Sequence, residues 1–172
     1  MPMTAKLVEN NRIHACVGYE DGSMLLWDVM DYNILSQAER IYNEPVMCLD
    51  TCDEHFLGVC GSATNVITKW SFGDYCNKEF SYAYQTLKSY ELPNPGIASV
   101  KVRSDSKIFA TGGWDYKLRI FSWKSCKPLA VLEYHKGTLQ ALAFSGPSIN
   151  GKQLLACGAN DTKISIWDVY NK

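Results

Sequence analysis

The chain has 172 residues, 47% hydrophobic and 20% charged, enough to bury a core and too evenly mixed for a disordered segment. A formal net charge of −1 gives no global reason to bind nucleic acid or an anionic membrane. No 18-residue apolar run and no basic-then-apolar leader occur, so neither a membrane-spanning helix nor a signal peptide is expected.

In chain order, Met1 to Glu9 reads as a strand and Asn10-Asn11 as a turn. The stretch ACVGYEDGSMLLWDV then alternates apolar and polar residues on either side of Glu20-Asp21-Gly22, the pattern of a hairpin over Ile13 to Tyr19 and Ser23 to Val29. Asn33 to Tyr42 fits a strand or a helix by its own pattern, and its place after a hairpin decides for strand. Glu44-Pro45 opens a second unit with strands over Val46 to Thr51, His55 to Gly61 and Val66 to Phe72. The stretch 73–90 carries Tyr75, Phe80, Tyr82, Tyr84 and Tyr90 with no clean period, and reads equally as a binding insertion or as a long outer strand. Pro93-Asn94-Pro95-Gly96 breaks the chain before Ile97 to Val102, Lys107 to Gly112, Lys117 to Trp123 and Pro128 to Tyr134. A last unit runs Leu139 to Phe144, a Gly146-Pro147 loop, Leu154 to Cys157 and Lys163 to Val169.

These units share a register. With Gly18, Gly61, Gly112 and Gly158 as position zero, three residues on stand Asp21, Thr64, Asp115 and Asp161, and nine residues on stand Trp27, Trp70, Phe121 and Trp167. The aromatic spacings are 43, 51 and 46 residues. Repeats of about 40–45 residues with four strands and a Trp-Asp signature indicate an all-β, WD40-type β-propeller. The expected blades are residues 1–43, 44–92 with an insertion at 73–90, 93–135, and an incomplete 136–172. The hairpin in the last unit is expected to turn at Asn160-Asp161, residue types that tolerate positive φ. Four units with fifteen strands leave the final outer strand unfilled, so an open arc, the C-terminal half of a longer propeller, is expected.

In WD repeats a Gly-His before the first inner strand lets the His bond the turn Asp, a strand Ser or Thr, and the Trp indole. Here His135, Asp161 and Trp167 form the expected set, with Cys157 where the hydroxyl would stand; in other blades the corresponding residues are Asp21 with Trp27, and Asp115 with the hydroxyl of Thr111. His135 with Asp161 could orient an imidazole for catalysis, but no nucleophile signature such as G-x-S-x-G and no phosphate-cradling glycine loop occurs, so no catalytic residue is expected. Seven cysteines without C-x-x-C spacing and three scattered histidines offer no metal or cofactor site, and imply reduced thiols in a cytoplasmic or nuclear protein. Trp114, Tyr116 and Arg119 on one hairpin, and Tyr82 and Tyr84 in the insertion, are the candidate partner contacts, since aromatics and arginine dominate interface hot spots. Residues 101–127 hold seven bases against Asp105 and Asp115, which offers nucleic-acid binding as an alternative to solvated strand faces.

The segment GIASVKVRSDSKIFATGGWDYKLRIFSWKSCKPLAVLEYHKGTLQALAFS, with GYEDGSMLLWDV and EPVMCLD upstream, resembles WD-repeat proteins of the guanine-nucleotide-binding-protein β-subunit-like family, and more distantly the fungal ASTRA-complex-associated WD-repeat proteins. The resemblance covers nearly the whole chain and falls on the C-terminal half of those proteins. It implies a seven-bladed propeller acting as a non-catalytic scaffold, with partners among the co-chaperones that assemble phosphatidylinositol-kinase-like protein kinases. The long N-terminal helix by which true G-protein β subunits hold a γ subunit is absent from this sequence, so a γ partner is not expected.

Overall fold

A computed structural model describes residues 1–10, 12–52, 56–73, 82–146 and 152–170. The Asn10-Asn11 turn, the start of the His55 to Gly61 strand, Tyr75 and Phe80 of the 73–90 stretch, and Pro147 lie wholly or partly outside the described residues. Fifteen strands are described. Blade one comprises β1 (Pro2–Asn10), β2 (Arg12–Tyr19), β3 (Met24–Asp28) and β4 (Asn33–Ala38). Blade two comprises β5 (Val46–Thr51), β6 (Leu57–Ser62), β7 (Val66–Phe72) and β8 (Tyr84–Glu91). Blade three comprises β9 (Ile97–Val102), β10 (Ile108–Gly113), β11 (Lys117–Ser122) and β12 (Pro128–Glu133); the fourth sheet holds β13 (Leu139–Phe144), β14 (Leu154–Ala159) and β15 (Ile164–Asp168). Each sheet is an antiparallel meander in sequence order. The sheets pack face to face through the inner strands, β1 on β5, β5 on β9 and β9 on β13.

Side-chain alternation decides which blade each residue meets. The position nine residues after the repeat glycine faces the preceding blade, and the position eight residues after it faces the following one. Trp70 and Phe121 at the first position are fully buried between blades, whereas Trp27, with no blade packed on that face among the described residues, is half-buried. At the second position Leu26 and Ile120 are fully buried and Ile166, with no blade after it, is 68% exposed. The middle strands of blades two and three are accordingly buried on both faces, while β2 and β3 alternate buried and half-buried, and β15 alternates exposed and half-buried. Leu7 and Ile13 lie open on the flank of blade one, and Ile164 and Ile166 on the flank of the last sheet. The four blades form an arc that does not close.

The glycine at position zero has a packing cause. A Cβ at Gly18 would come within 2.6 Å of Val46 Cγ1, one at Gly112 within 2.6 Å of Leu139 Cβ, and one at Gly61 would collide with Ile97. Val46, Ile97 and Leu139 are each the first residue of the next blade's inner strand. Only glycine lets that strand approach so closely. Gly158, with no further blade packed on it among the described residues, meets nothing nearer than 4.0 Å.

One expectation about the turns is corrected. The hairpin turns place positive φ one residue after the aspartate, at Gly22 (φ 79°), Tyr116 (φ 65°) and Thr162 (φ 64°), not on Asn160-Asp161. Of the stretch 73–90, read equally as an insertion or as a long outer strand, Tyr84 to Glu91 forms the outer strand β8, and residues 74–81 lie outside the described residues.

Candidate functional site

The loop before β13 and the β14–β15 turn carry His135 and Asp161 to one rim of the arc. His135 Nδ1 lies 3.1 Å from both Asp161 oxygens, and its Nε2 lies 2.8 Å from Ser165 Oγ. Trp167 Nε1–H donates to the same Ser165 oxygen at 2.8 Å. The Asp161 carboxylate can only accept, so Nδ1–H donates to it; in the neutral imidazole Nε2 is then the acceptor, and Ser165 O–H donates to it while its oxygen accepts the Trp167 indole N–H. Asp161 also accepts the amides of Lys136 (2.9 Å) and Lys163 (3.2 Å). The Lys136 amide is the main cause that holds the Asp161 carboxyl below its ordinary range, against some desolvation and with help from His135.

The hydroxyl in this network is therefore on β15, two residues before Trp167, and not at Cys157 on β14, where the sequence pattern places it. The set Asp161–His135–Ser165 has the hydrogen-bond order of a nucleophilic triad, but one lone pair of Ser165 is held by the indole and the imidazole is buried. Its geometry ties a loop to a hairpin.

Blade three solves the same problem with different chemistry. Arg119 occupies the Ser165 position, and its guanidinium makes a forked pair with Asp115, Nη1 to Oδ1 at 3.0 Å and Nη2 to Oδ2. Asn94 from the loop before β9 donates to Asp115 Oδ2 at 3.1 Å. Desolvation opposes ionisation of Asp115, and the Arg119 pair outweighs it, so this carboxyl too is held low. Arg119 is 4% exposed and is not a free partner contact, which corrects its assignment from sequence. Thr111 is buried with no hydrogen-bond partner on Oγ1, so it does not support Asp115 either. In blade one Asp21 makes a local turn, accepting the amide and hydroxyl of Ser23 at 3.0 and 2.6 Å, and the Trp27 indole N–H has no partner among the described residues.

The remaining candidates separate clearly. Trp114 is 42% and Tyr116 47% exposed, both in the β10–β11 turn, which stands at the same repeat position as the turn that carries Asp161. The Trp114 ring lies flat over Gly96, where a Cβ would overlap it, and the Trp114 amide donates to the Gly96 carbonyl at 2.9 Å. The ring is thus held in place while one face stays open. Tyr82 packs edge-on against Phe56 with centroids 5.6 Å apart, and Tyr84 against Phe72 at 5.5 Å with its hydroxyl 3.1 Å from Thr86 Oγ1. Both tyrosines belong to the blade surface.

The basic segment is partly paired within the fold. Lys101 pairs with Asp50, Arg103 and Lys107 with Asp105, Lys117 with Glu133, and Arg119 with Asp115. Asp50 is shared between Lys101 and Lys6, and Asp105 between Arg103 and Lys107, so acids interrupt the run of bases without cancelling it. Burial pushes the Cys16 and Cys60 thiols up to about 12 and that of Cys157 up to about 11, so these three are thiols, not thiolates, near neutrality. Among the described residues no group of three metal-ligating side chains is present, and no helix is long and apolar enough to cross a membrane.

The WD domain, G-beta repeat family matches residues 84–122 and 126–168. Each match begins on an outer strand and ends on the third strand of the next blade, so the sequence repeat is offset by one strand from the structural blade. The guanine nucleotide-binding protein subunit beta-like protein 1 of Mus musculus is 42% identical over 99% of this chain and 49% of its own length. The ASTRA-associated protein 1 of Schizosaccharomyces japonicus is 30% identical over 95% of this chain and 46% of its own length. The chain thus spans about half the length of these curated relatives. Among solved structures, the computationally designed Ika4 protein superposes with a TM-score of 0.74 at 18% identity, covering 95% of this chain and 89% of that one, a likeness of fold alone.

Proposed function

Because this chain is a WD-repeat protein with a β-propeller arrangement, we propose that it serves as a non-catalytic protein-interaction scaffold whose rim, at Trp114 and Tyr116, is a partner-binding surface. The observation that carries this reading is the Trp114–Tyr116 pair: two large aromatics exposed together, one of them locked over Gly96, so that little side-chain entropy is lost on binding. The buried Arg119–Asp115 fork beneath them holds the turn. The likeness to the ASTRA-associated proteins supports membership of a multiprotein complex, and the partners proposed within it are the co-chaperones that assemble phosphatidylinositol-kinase-like protein kinases. The described cysteines form no disulfide with one another, which fits a reducing compartment, cytoplasm or nucleus. Affinity purification of the tagged chain and of Trp114→Ala/Tyr116→Ala tests the proposal. Kinase or co-chaperone subunits are expected with the parent chain and lost from the variant, with thermal melting unchanged; equal recovery by both would remove the rim from the proposal.

A further inference from the structure

The inner strands bring a second set of residues together at the end of the channel opposite His135 and Asp161. Each inner strand begins with a bulge against its neighbour, at Pro2, Val46, Ile97 and Leu139. Four residues beyond each bulge, the same register places Lys6, Asp50, Lys101 and Ala143 around the channel. Asp50 is 3% exposed; its Oδ1 lies 3.3 Å from Lys6 Nζ and its Oδ2 3.1 Å from Lys101 Nζ, and Oδ2 also accepts the Val102 amide at 2.8 Å. One buried carboxylate is thus shared by two ammonium groups from the blades on either side of it.

The count leaves an excess. Arg103 and Asp105 neutralise one another nearby, so Lys6, Asp50 and Lys101 leave one net positive charge at this mouth. An ammonium carries three donors, and Asp50 takes one from each lysine. Both lysine side chains are about one third exposed, at 34% and 33%. They border a cavity of about 190 Å³ that continues over Ser104, Phe144, Ser145 and Gly146. Ala143, at the fourth register position, puts no side chain of any length into that space. Apolar walls at Val102 and Phe144 lower the local dielectric and strengthen any charge pairing inside.

We infer that this mouth is an anion site that receives the carboxylate of an acidic side chain from a partner polypeptide, held between Lys6 and Lys101. The inference rests on the scaffold reading for the nature of the partner, but it uses the rim opposite Trp114 and Tyr116. Asp50 in this arrangement pre-positions the two lysines and limits the charge they present. A site built to bind an anion and a cluster built only for stability then respond oppositely to its neutralisation.

The test is an NMR titration of the 172-residue chain, read at the Val102 amide, with capped hexaglutamate, capped hexaglutamine and inorganic phosphate as probes. Saturable shifts with hexaglutamate and none with hexaglutamine are expected, weakening as salt is added. Lys101→Met is expected to weaken the affinity about tenfold or more, Lys101→Arg to retain most of it, and Asp50→Asn to tighten it because the second lysine charge is released. Lys117→Met, remote from the cavity, should change nothing. Shifts with phosphate alone would overturn the acidic-polypeptide assignment. Absence of any saturable shift, or an Asp50→Asn variant that stays folded yet binds no more tightly, would overturn the site itself. The Trp114→Ala/Tyr116→Ala variant should titrate like the parent, so failure of the rim surface and failure of this site are read separately.

Discussion

Asp161 and Asp115 do the same job with different partners, and both are held below the ordinary carboxylate range. For Asp161 the Lys136 amide leads and His135 assists; for Asp115 desolvation works against ionisation and the Arg119 fork overcomes it. A carboxyl with a depressed folded pKa stabilises the fold above its unfolded value of about 3.9, and that contribution disappears as pH falls through the folded value. The melting temperature should therefore decline on acidification between about pH 5 and pH 2. Asp161→Asn should lower stability at neutral pH and flatten that decline, because the group that titrates is gone. A variant whose decline parallels the parent's would show that Asp161 does not contribute to the acid sensitivity.

At the scale of elements, the repeat glycine offers a comparison in which strand and register are shared and the facing neighbour differs. Gly61→Ala must push a methyl into Ile97, the first residue of the next inner strand, whereas Gly158→Ala has open space. Overpacking of this kind costs roughly 1–3 kcal/mol, while Gly158→Ala should be neutral or slightly stabilising, by at most about 1 kcal/mol, through the unfolded chain. Chemical denaturation of the two variants measures the difference, and equal effects would mean that the glycines serve the strand and not the blade junction. This contrast marks what the sequence could disclose. The glycine, aspartate and aromatic positions recur at fixed offsets, so the hairpins and their order were legible. The partner of His135 was not, because Ser165 sits on the third strand beside Trp167, and a Cys at the expected place drew attention to the wrong strand. Arg119 looked like a surface contact because its residue type is commonly one; only the forked geometry with Asp115 shows it buried. Strand β8 was legible only as one of two open readings for a different reason: as an outer strand it is exposed along most of its length and carries no two-residue apolar period.

The whole molecule is organised by one kind of junction used three times, a face of one blade against the opposite face of the next. Its two free faces are the two halves of that same junction. Blade one offers Leu7, Ile13 and the half-buried Trp27, and the last sheet offers Ile164 and Ile166, 74% and 68% exposed. A face of this kind is apolar where the internal junctions are apolar, and exposed strands and apolar patches invite pairing. For the 172-residue chain alone the complementary surface closest to hand is a second copy, its first blade against the last sheet of its neighbour. That contact is head-to-tail, so it either closes into a ring or runs on as an open chain. Light scattering across a concentration series should report masses above the 19.3 kDa of one chain. Replacing Ile164 and Ile166 by Glu should restore the single-chain mass while leaving the denaturation midpoint nearly unchanged, because neither side chain is buried within the fold. Ile120, at the same repeat position as Ile166 but fully buried, supplies the internal comparison: Ile120→Glu should unfold the arc. A single-chain mass at every concentration would show that the two free faces do not recognise one another.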